Sequence, residues 1–281
     1  PSAHAAVTAA ALEAGKHVHT EKPVALRYGD AVELATLAET RGVRLSCAPA
    51  TLLGEAQQTA WKLVRDGALG TVRVVYAEAN WGRIESWHPS PEALYEAGPM
   101  IDVGIYPLTI LTAMFGPVRN VRAFGTIVQP DRVRTDGERF RLVTPDFIVA
   151  ALELETGVLV RLTATFWVSA GKQRGLELHG ESASLWMPTW MEFDSRLEST
   201  TDGETYEPVP LLREPYPGTD WARALVELAD AIDEGRPHRM AAAHAAHVVE
   251  VLNAIETSFR DGGIAQVQSS FVAPAPMDWA L

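Results

Sequence analysis

The first 49 residues switch repeatedly between helical and strand-like apolar spacing, and this alternation constrains the fold more than any other feature of the 281-residue chain. Ser2 to Ala14 predicts a helix, with Ser2 as candidate N-cap and Gly15 as its stop, and "HVHTEKP" then predicts a short strand. Asp30 to Arg41 predicts a second helix stopped by Gly42, and "VRLSCAP" a second strand. Helix, strand, helix, strand with short links is the pattern of a parallel sheet with crossover helices. About fifty residues cannot bury both faces of such a sheet, so this stretch reads as the tail of a doubly wound α/β domain whose beginning is absent.

Beyond Pro49 the pattern changes, which places a boundary between a partial domain over 1–49 and an α+β domain over 50–281. A helix from Thr51 to about Gly67 leads into "TVRVVYAEANW", whose alternation suits a half-buried strand. A loop rich in Trp, Pro and Gly runs to Gly98, and "MIDVGIYPLTILTAMFG" predicts a buried helix despite Gly104 and Pro107. Further strands include "FIVAALELE", "VLVRLTATFWV", "GLELHG" and "ASLWM", the first two joined by a Thr156-Gly157 turn. In the second of them Val158, Val160, Leu162, Ala164, Phe166 and Val168 share one face. Leu159, Arg161, Thr163, Thr165 and Trp167 share the other, as in an antiparallel sheet with one core face and one mixed face. Two amphipathic helices close the chain, one lined by Trp221, Leu225, Leu228 and Ile232, the other by Val248, Leu252, Ile255 and Phe259.

Apolar residues make up 47 % of the chain, enough to fill a core, and the formal charge of -12 argues against nucleic acid or an anionic membrane surface as partner. With one cysteine, Cys47, no internal disulfide can form, which suits a reducing cytoplasm. No apolar stretch approaches the roughly 20 residues of a membrane span.

Two stretches carry candidate chemistry. In "GKHVHTEKPVAL" Lys22 precedes proline, so it is pushed toward extended geometry at the end of a strand, where open α/β sheets bind ligands. An ordinary strand exit with a solvated Glu-Lys pair explains the same residues. In "GPMIDVGIYPL" Asp102 and Tyr106 are four apart, so a carboxylate and a phenol project from one helix face in an apolar segment. A helix-start cap or a structural Asp-Tyr hydrogen bond is the plainer alternative. Gly104 between them suggests close approach of a ligand or another backbone.

The histidines are weaker signals. His244 and His247 have i, i+3 spacing without a carboxylate partner, and an Ala-rich helix surface is the expectation there rather than a metal site. His17 and His19 alternate along a strand, and Trp81, Trp87 and Trp167 are candidates for stacking or for packing. No two glycines lie two residues apart, so the dinucleotide fingerprint G-x-G-x-x-G does not occur in this sequence.

"PSAHAAVTAAALEAGKHVHTEKPVAL", "GPMIDVGIYPL" and "RPHRMAAAHAAHVVEVLNAIETSFRDGG" resemble, in that order, three landmarks of the Gfo/Idh/MocA oxidoreductases, and the resemblance covers nearly the whole chain. It implies a Rossmann domain binding NAD or NADP, followed by an α+β domain with an open, largely antiparallel sheet that often forms the oligomer interface. It also implies hydride transfer at a secondary alcohol or carbonyl of a sugar, polyol or related substrate. By position, Lys22 corresponds to the active-site lysine of the family and Asp102 to its helix aspartate. Tyr106 falls where many members have histidine and where the glucose-fructose oxidoreductase and dihydrodiol dehydrogenase branches usually have tyrosine.

These positions suggest Tyr106 as proton donor and acceptor, with the Lys22 ammonium favouring the phenolate and stabilising alkoxide charge. Asp102 would orient Lys22 or bind a substrate hydroxyl. Pro1, His4, Glu21, Lys22 and Pro23 would touch the nicotinamide end, and Trp81, Arg83 and Trp87 the substrate. "PSAH" resembles the segment after the fourth or fifth Rossmann strand, so about 80 to 100 residues are expected to precede it. The competing reading is a truncated relative that binds a ligand or assembles through the sheet without catalysis.

Overall fold

The computed structural model describes residues 3–281; Pro1 and Ser2, including the expected cap at Ser2, lie outside the described residues. Helix α1 (His4–Glu13) leads through Gly15 into β1 (Val18–Thr20), and α2 (Tyr28–Arg41) leads through Gly42 into β2 (Leu45–Cys47). Both glycines take positive φ, the conformation that ends a helix without steric cost. Strands β1 and β2 pair in parallel, Val18 opposite Leu45 and Thr20 opposite Cys47. Leu12, Leu34, Ala38 and Leu45 form a small core here, closed on its far side by Ala246 and Val249 from the last long helix.

The expected helix from Thr51 is divided. Ala50–Leu53 is a 3-10 turn, and α3 (Glu55–Arg65) starts after Gly54, whose added Cβ would stand 2.6 Å from the Phe193 ring. Then come β3 (Val72–Asn80), the short α4 (Glu92–Ala97), a single wide π turn (Met100–Gly104) and α5 (Ile105–Phe115). The chain continues through β4 (Val118–Thr126), the hairpin β5 (Asp131–Val133) and β6 (Arg139–Arg141), β7 (Phe147–Leu154) and β8 (Leu159–Thr165). Next are β9 (Gly175–Gly180), β10 (Ser184–Met187), β11 (Leu197–Thr200) and β12 (Glu207–Val209). Helices α6 (Arg223–Asp233) and α7 (Ala242–Asp261) and the short β13 (Ala265–Gln266) complete the order.

Nine strands form one open sheet in the order β12-β11-β10-β9-β3-β8-β7-β4-β13. Its pairings are antiparallel except at the centre, where β3 and β8 run parallel. The fold is thus an α/β piece joined to an α+β region with a largely antiparallel sheet. Helices α5 and α7 cover one face, burying Ile110, Leu111, Val251 and Ile255 against Val121, Leu152 and Leu162. The other face stays open, with Phe124 and Leu159 exposed. Its mixed character is partial, since Thr163 and Thr165 on that side of β8 are buried in hydrogen bonds.

Two helix-face expectations need correction. On α6 the buried residues are Ala224, Glu227, Leu228 and Ala231, whereas Trp221 and Leu225 are more than half exposed. Charge explains the change: Glu227 turns inward because Arg236 and Arg239 pair with it. His244 and His247 do not lie on a helix surface. His244 bonds to Thr112, and His247 accepts the Val118 N–H and bonds to Ser269, all within a buried seam between α5 and α7. No helix among the described residues is long and apolar enough to cross a membrane.

Candidate functional site

Lys22 leaves the end of β1 and reaches across to the start of α5. Its Nζ donates to the Asp102 carbonyl at 2.6 Å and to Asp102 Oδ1 at 2.8 Å. The same nitrogen lies 5.1 Å from the centre of the Tyr106 ring. Three residues that the sequence places in two separate stretches therefore meet at one point. An ammonium has three N–H donors, so two are engaged by Asp102 and one remains.

The local backbone explains the unusual carbonyl contact. Asp102 sits in the wide π turn rather than in a regular helix, and such single turns interrupt α-helices where extra width is needed. The backbone N–H closing that turn bonds to the Val103 carbonyl. Gly104 is also explained without a ligand: an added Cβ would meet Met100 Sδ at 2.6 Å and Ala164 at 3.4 Å, so the glycine lets α5 sit close to β8.

Tyr106 is 6 % exposed. Burial first, then the nearby Glu21 and Asp102 carboxylates, push its phenol well above the ordinary tyrosine value. This overturns the expectation that Lys22 tips the residue toward phenolate. Lys22 is paired with Asp102, and the phenol keeps its proton at neutral pH.

One aromatic at the site escaped the sequence reading. Trp190, 5 % exposed, lies with its ring centre 5.0 Å from Tyr106 and 6.3 Å from Trp81, the planes tilted by 31° and 30°. Its indole N–H donates to the Glu78 carbonyl, and its own carbonyl accepts from the Gln57 side chain. It stands in a loop after β10 with no periodic neighbours. The one available signal is a tryptophan amid "MPTWMEF".

The remaining candidates fall around this centre unevenly. Glu21 Oε2 accepts the Lys22 backbone N–H, and the His4 ring Nδ1–H donates to the Pro23 carbonyl at 2.7 Å, so His4, Glu21, Lys22 and Pro23 form one corner at the end of β1. Pro1 is outside the described residues. Trp81 joins Tyr106 through Trp190. Arg83 instead stacks over Trp167 at 5.8 Å, and Trp87 packs on His88 with half its surface exposed; no contact among the described residues links either to Lys22.

A dinucleotide fits this corner at one end only. The β1 terminus supplies an ammonium, a carboxylate and backbone groups suited to a carboxamide-bearing ring, and the Tyr106 phenol lies beside them. For a pyrophosphate the sequence has no glycine pair at the fingerprint spacing.

Residues 1–48 match the family described as an oxidoreductase family with an NAD-binding Rossmann fold, and residues 57–186 match the GFO/IDH/MocA C-terminal domain. This chain belongs to the Gfo/Idh/MocA oxidoreductase family. It is 34 % identical over 131 residues to dTDP-3,4-didehydro-2,6-dideoxy-alpha-D-glucose 3-reductase of Streptomyces violaceoruber, covering 47 % of this chain and 38 % of that protein. It is 27 % identical over 222 residues to trans-1,2-dihydrobenzene-1,2-diol dehydrogenase of Bos taurus, covering 78 % of this chain and 60 % of that protein. The chain thus spans 38 % of the one relative and 60 % of the other. Among solved structures, aldose-aldose oxidoreductase from Caulobacter crescentus, complexed with glycerol, has the same fold, with a TM-score of 0.79. It is 24 % identical, over 94 % of this chain and 76 % of that one.

Proposed function

We propose that this chain carries the catalytic part of an NAD(P)-dependent oxidoreductase acting on a secondary alcohol or carbonyl of a sugar, polyol or related diol. The observation that carries the reading is the meeting of Lys22 with Asp102 beside Tyr106, at the junction of residues 1–49 with residues 50–281. We treat these as two domains, and the site as lying between them. The names of the relatives, a sugar reductase and a diol dehydrogenase, agree with this substrate class.

When bound, NAD or NADP supplies the hydride acceptor or donor. The chain handles the proton. In the direction of reduction, Tyr106, which holds its phenol proton at neutral pH, gives that proton to the nascent alkoxide oxygen. Lys22 directs its remaining N–H at the same oxygen and stabilises the developing charge. Asp102 fixes the ammonium. Oxidation requires the phenolate to take the hydroxyl proton, and because burial and the nearby carboxylates disfavour that phenolate, the site favours reduction at neutral pH. His4, Glu21 and Pro23 border the cofactor on the β1 side, and Trp81, Arg83 and Trp87 border the substrate entrance.

We further assign the open sheet face to self-association, in the cytoplasm. On it Arg161 pairs with Glu78 at 2.8 Å and stacks on Tyr76 at 4.0 Å, beside a depression of about 370 Å³ that includes Glu177, Trp186 and Tyr206. Such a face of mixed charge and exposed aromatics suits a second copy. The test is a panel of sugars, cyclitols and diols with the full-length protein, read by cofactor absorbance. Turnover of at least one, abolished by Lys22→Ala, is expected; absence of turnover across the panel with both NAD and NADP overturns the reading.

A further inference from the structure

A buried side chain that makes no hydrogen bond is aimed by packing alone, and Tyr106 is in that position: its ring is enclosed, and its hydroxyl has no partner among the described residues. Two groups stand against the ring. The Lys22 ammonium, on a long flexible stem, lies 5.1 Å from its centre. The Trp190 ring lies 5.0 Å from it with the planes tilted by 31°, within the range of favourable aromatic pairs. Trp190 is the rigid one. Its indole N–H donates to the Glu78 carbonyl on β3 at 3.1 Å, and Gln57 Nε2 on α3 donates to the carbonyls of Trp190 and Glu192 at 3.2 and 3.1 Å. The Phe193 carbonyl accepts, at 3.0 Å, the Ala56 N–H, one of the donors that the first turn of α3 leaves without a helical partner. Gly54 completes the seat, since an added Cβ would stand 2.6 Å from the Phe193 ring. At 5 % exposed, Trp190 has little surface to offer a substrate, whereas Trp81, 39 % exposed, is the member of the stack that a substrate can reach.

We propose that Trp190 is a positioning residue for the proton step: its indole, tied to α3 and β3, holds the Tyr106 ring so that the phenol O–H and the free Lys22 N–H converge on one substrate oxygen. The inference rests on the function proposed above, in which Tyr106 carries the proton. A tyrosine ring free to pivot moves its oxygen farther than its other atoms, because the oxygen lies at the end of the lever. Proton transfer needs heavy atoms about 3 Å apart, so a small swing costs rate and leaves binding untouched. Trp190 also keeps water from the ring, and burial is the main reason the phenol holds its proton. The charged groups facing the phenol are Lys22 and Asp102, joined to each other, and Glu21, and no change at 190 removes any of them.

The test compares Trp190→Leu and Trp190→Phe in the full-length protein. Leucine keeps an apolar side chain but no flat face; phenylalanine keeps the flat face and gives up only the N–H to Glu78. The first readout is nitration of Tyr106 by tetranitromethane, which attacks phenolate, followed by mass spectrometry without substrate or cofactor. Tyr28 and Tyr206 serve as internal references. Each unit by which the phenol falls toward its ordinary value multiplies the phenolate ten-fold. Tyr106 nitration is therefore expected to rise about ten-fold in Trp190→Leu and to stay within about three-fold in Trp190→Phe, the references being unchanged. Turnover supplies the separate arm: the single-turnover rate should fall about ten-fold or more in Trp190→Leu, with KM within about two-fold, and Trp190→Phe should recover most of it. Parent-like nitration of Tyr106 in Trp190→Leu overturns the proposal, as does a rise shared by all three tyrosines. So does an unchanged rate in Trp190→Leu, or an equal loss in both variants, which would assign the effect to the Glu78 bond. A parent that turns over nothing defeats the oxidoreductase reading instead, and the nitration contrast still decides whether Trp190 holds Tyr106.

Discussion

Two buried ion pairs in this molecule use the same chemistry to opposite ends. Arg132, on β5, is 3 % exposed, and burial shuts its guanidinium off from any ligand. It pairs with Glu85 at 3.0 Å and with Asp146, donates Nε–H to the Gln129 carbonyl at 2.8 Å, and lies between Trp167 and Tyr95. The carboxylates are equally engaged: Tyr95 donates its hydroxyl to Glu85, and Asp146 accepts the Val128 N–H at 2.7 Å. Lys22 also sits largely out of water, yet one of its donors stays free and its neighbour Tyr106 has no hydrogen-bond partner among the described residues. Enclosure marks the brace, and an N–H left beside an unpartnered phenol marks the site. The brace ties the loop bearing Arg83 and Trp87 to the sheet end, and the site lies where the two parts of the chain meet.

Breaking the brace should have the largest effect. Arg132→Ala leaves Glu85 and Asp146 buried without a cation, which is expected to cost about 3 to 5 kcal/mol. Denaturant unfolding measures this directly. A loss under about 1 kcal/mol would mean that water reaches the cluster, and the comparison would lose its first half.

The second half is tested at Lys22. In the full-length protein Lys22→Ala and Tyr106→Phe should each reduce turnover by about 100-fold or more, with cofactor affinity changed only a few-fold. Stability should fall by about 2 kcal/mol in Lys22→Ala, which loses two hydrogen bonds, and by less than about 1 kcal/mol in Tyr106→Phe, whose hydroxyl has no partner among the described residues. Unchanged turnover in both variants would refute the assignment. A large stability loss with normal turnover would make Lys22 a second brace.

A smaller, pH-dependent effect belongs to the histidine seam. Burial lowers His244 to about 3 and His247 to about 4, so both stay neutral in the folded protein. The unfolded chain binds protons at about 6.5, so its uptake leads as the pH falls and stability declines with it. Stability from this source is complete above about pH 6.5 and is lost progressively as the pH falls to about 4 for His247 and about 3 for His244. The slope reaches at most about 1.4 kcal/mol per pH unit for each group. Unfolding curves across that window, compared with His247→Gln, should show a shallower dependence in the variant. Parallel curves would mean that the seam is hydrated.

The contrast also explains what could be read from the chain beforehand. α1, β1, α2 and β2 were legible because apolar period, glycine stops and strand ends agree, and β7 to β10 because alternation holds along them. β4 was not, since its register shifts between Val118 and Asn120 and its buried valines, Val118 and Val121, fall three apart instead of two. The hairpin β5–β6 and strands β11 and β12 are too short to show a period. Lys22, Asp102 and Tyr106 were visible as residue types, but their convergence came from family resemblance, because no spacing links positions 80 residues apart. Trp190 lacked any pattern, because its loop has no periodic neighbours.

The smallest predicted effect separates packing from chemistry at the site itself. Gly104 has an ordinary helical φ of -63, so a side chain there meets no backbone strain. Alanine gains about 1 kcal/mol in helix propensity. Against this stands the contact of its Cβ with Met100 Sδ, at the end of a flexible side chain that can rotate away, and with Ala164, which stays at van der Waals distance. The two terms nearly cancel. Gly104→Ala should therefore change stability by no more than about 0.5 kcal/mol and turnover by less than about three-fold, measured by the same unfolding and absorbance assays. A collapse of turnover with stability intact would place substrate or cofactor against Gly104, and the site would then extend along the helix beyond the single valence left on Lys22.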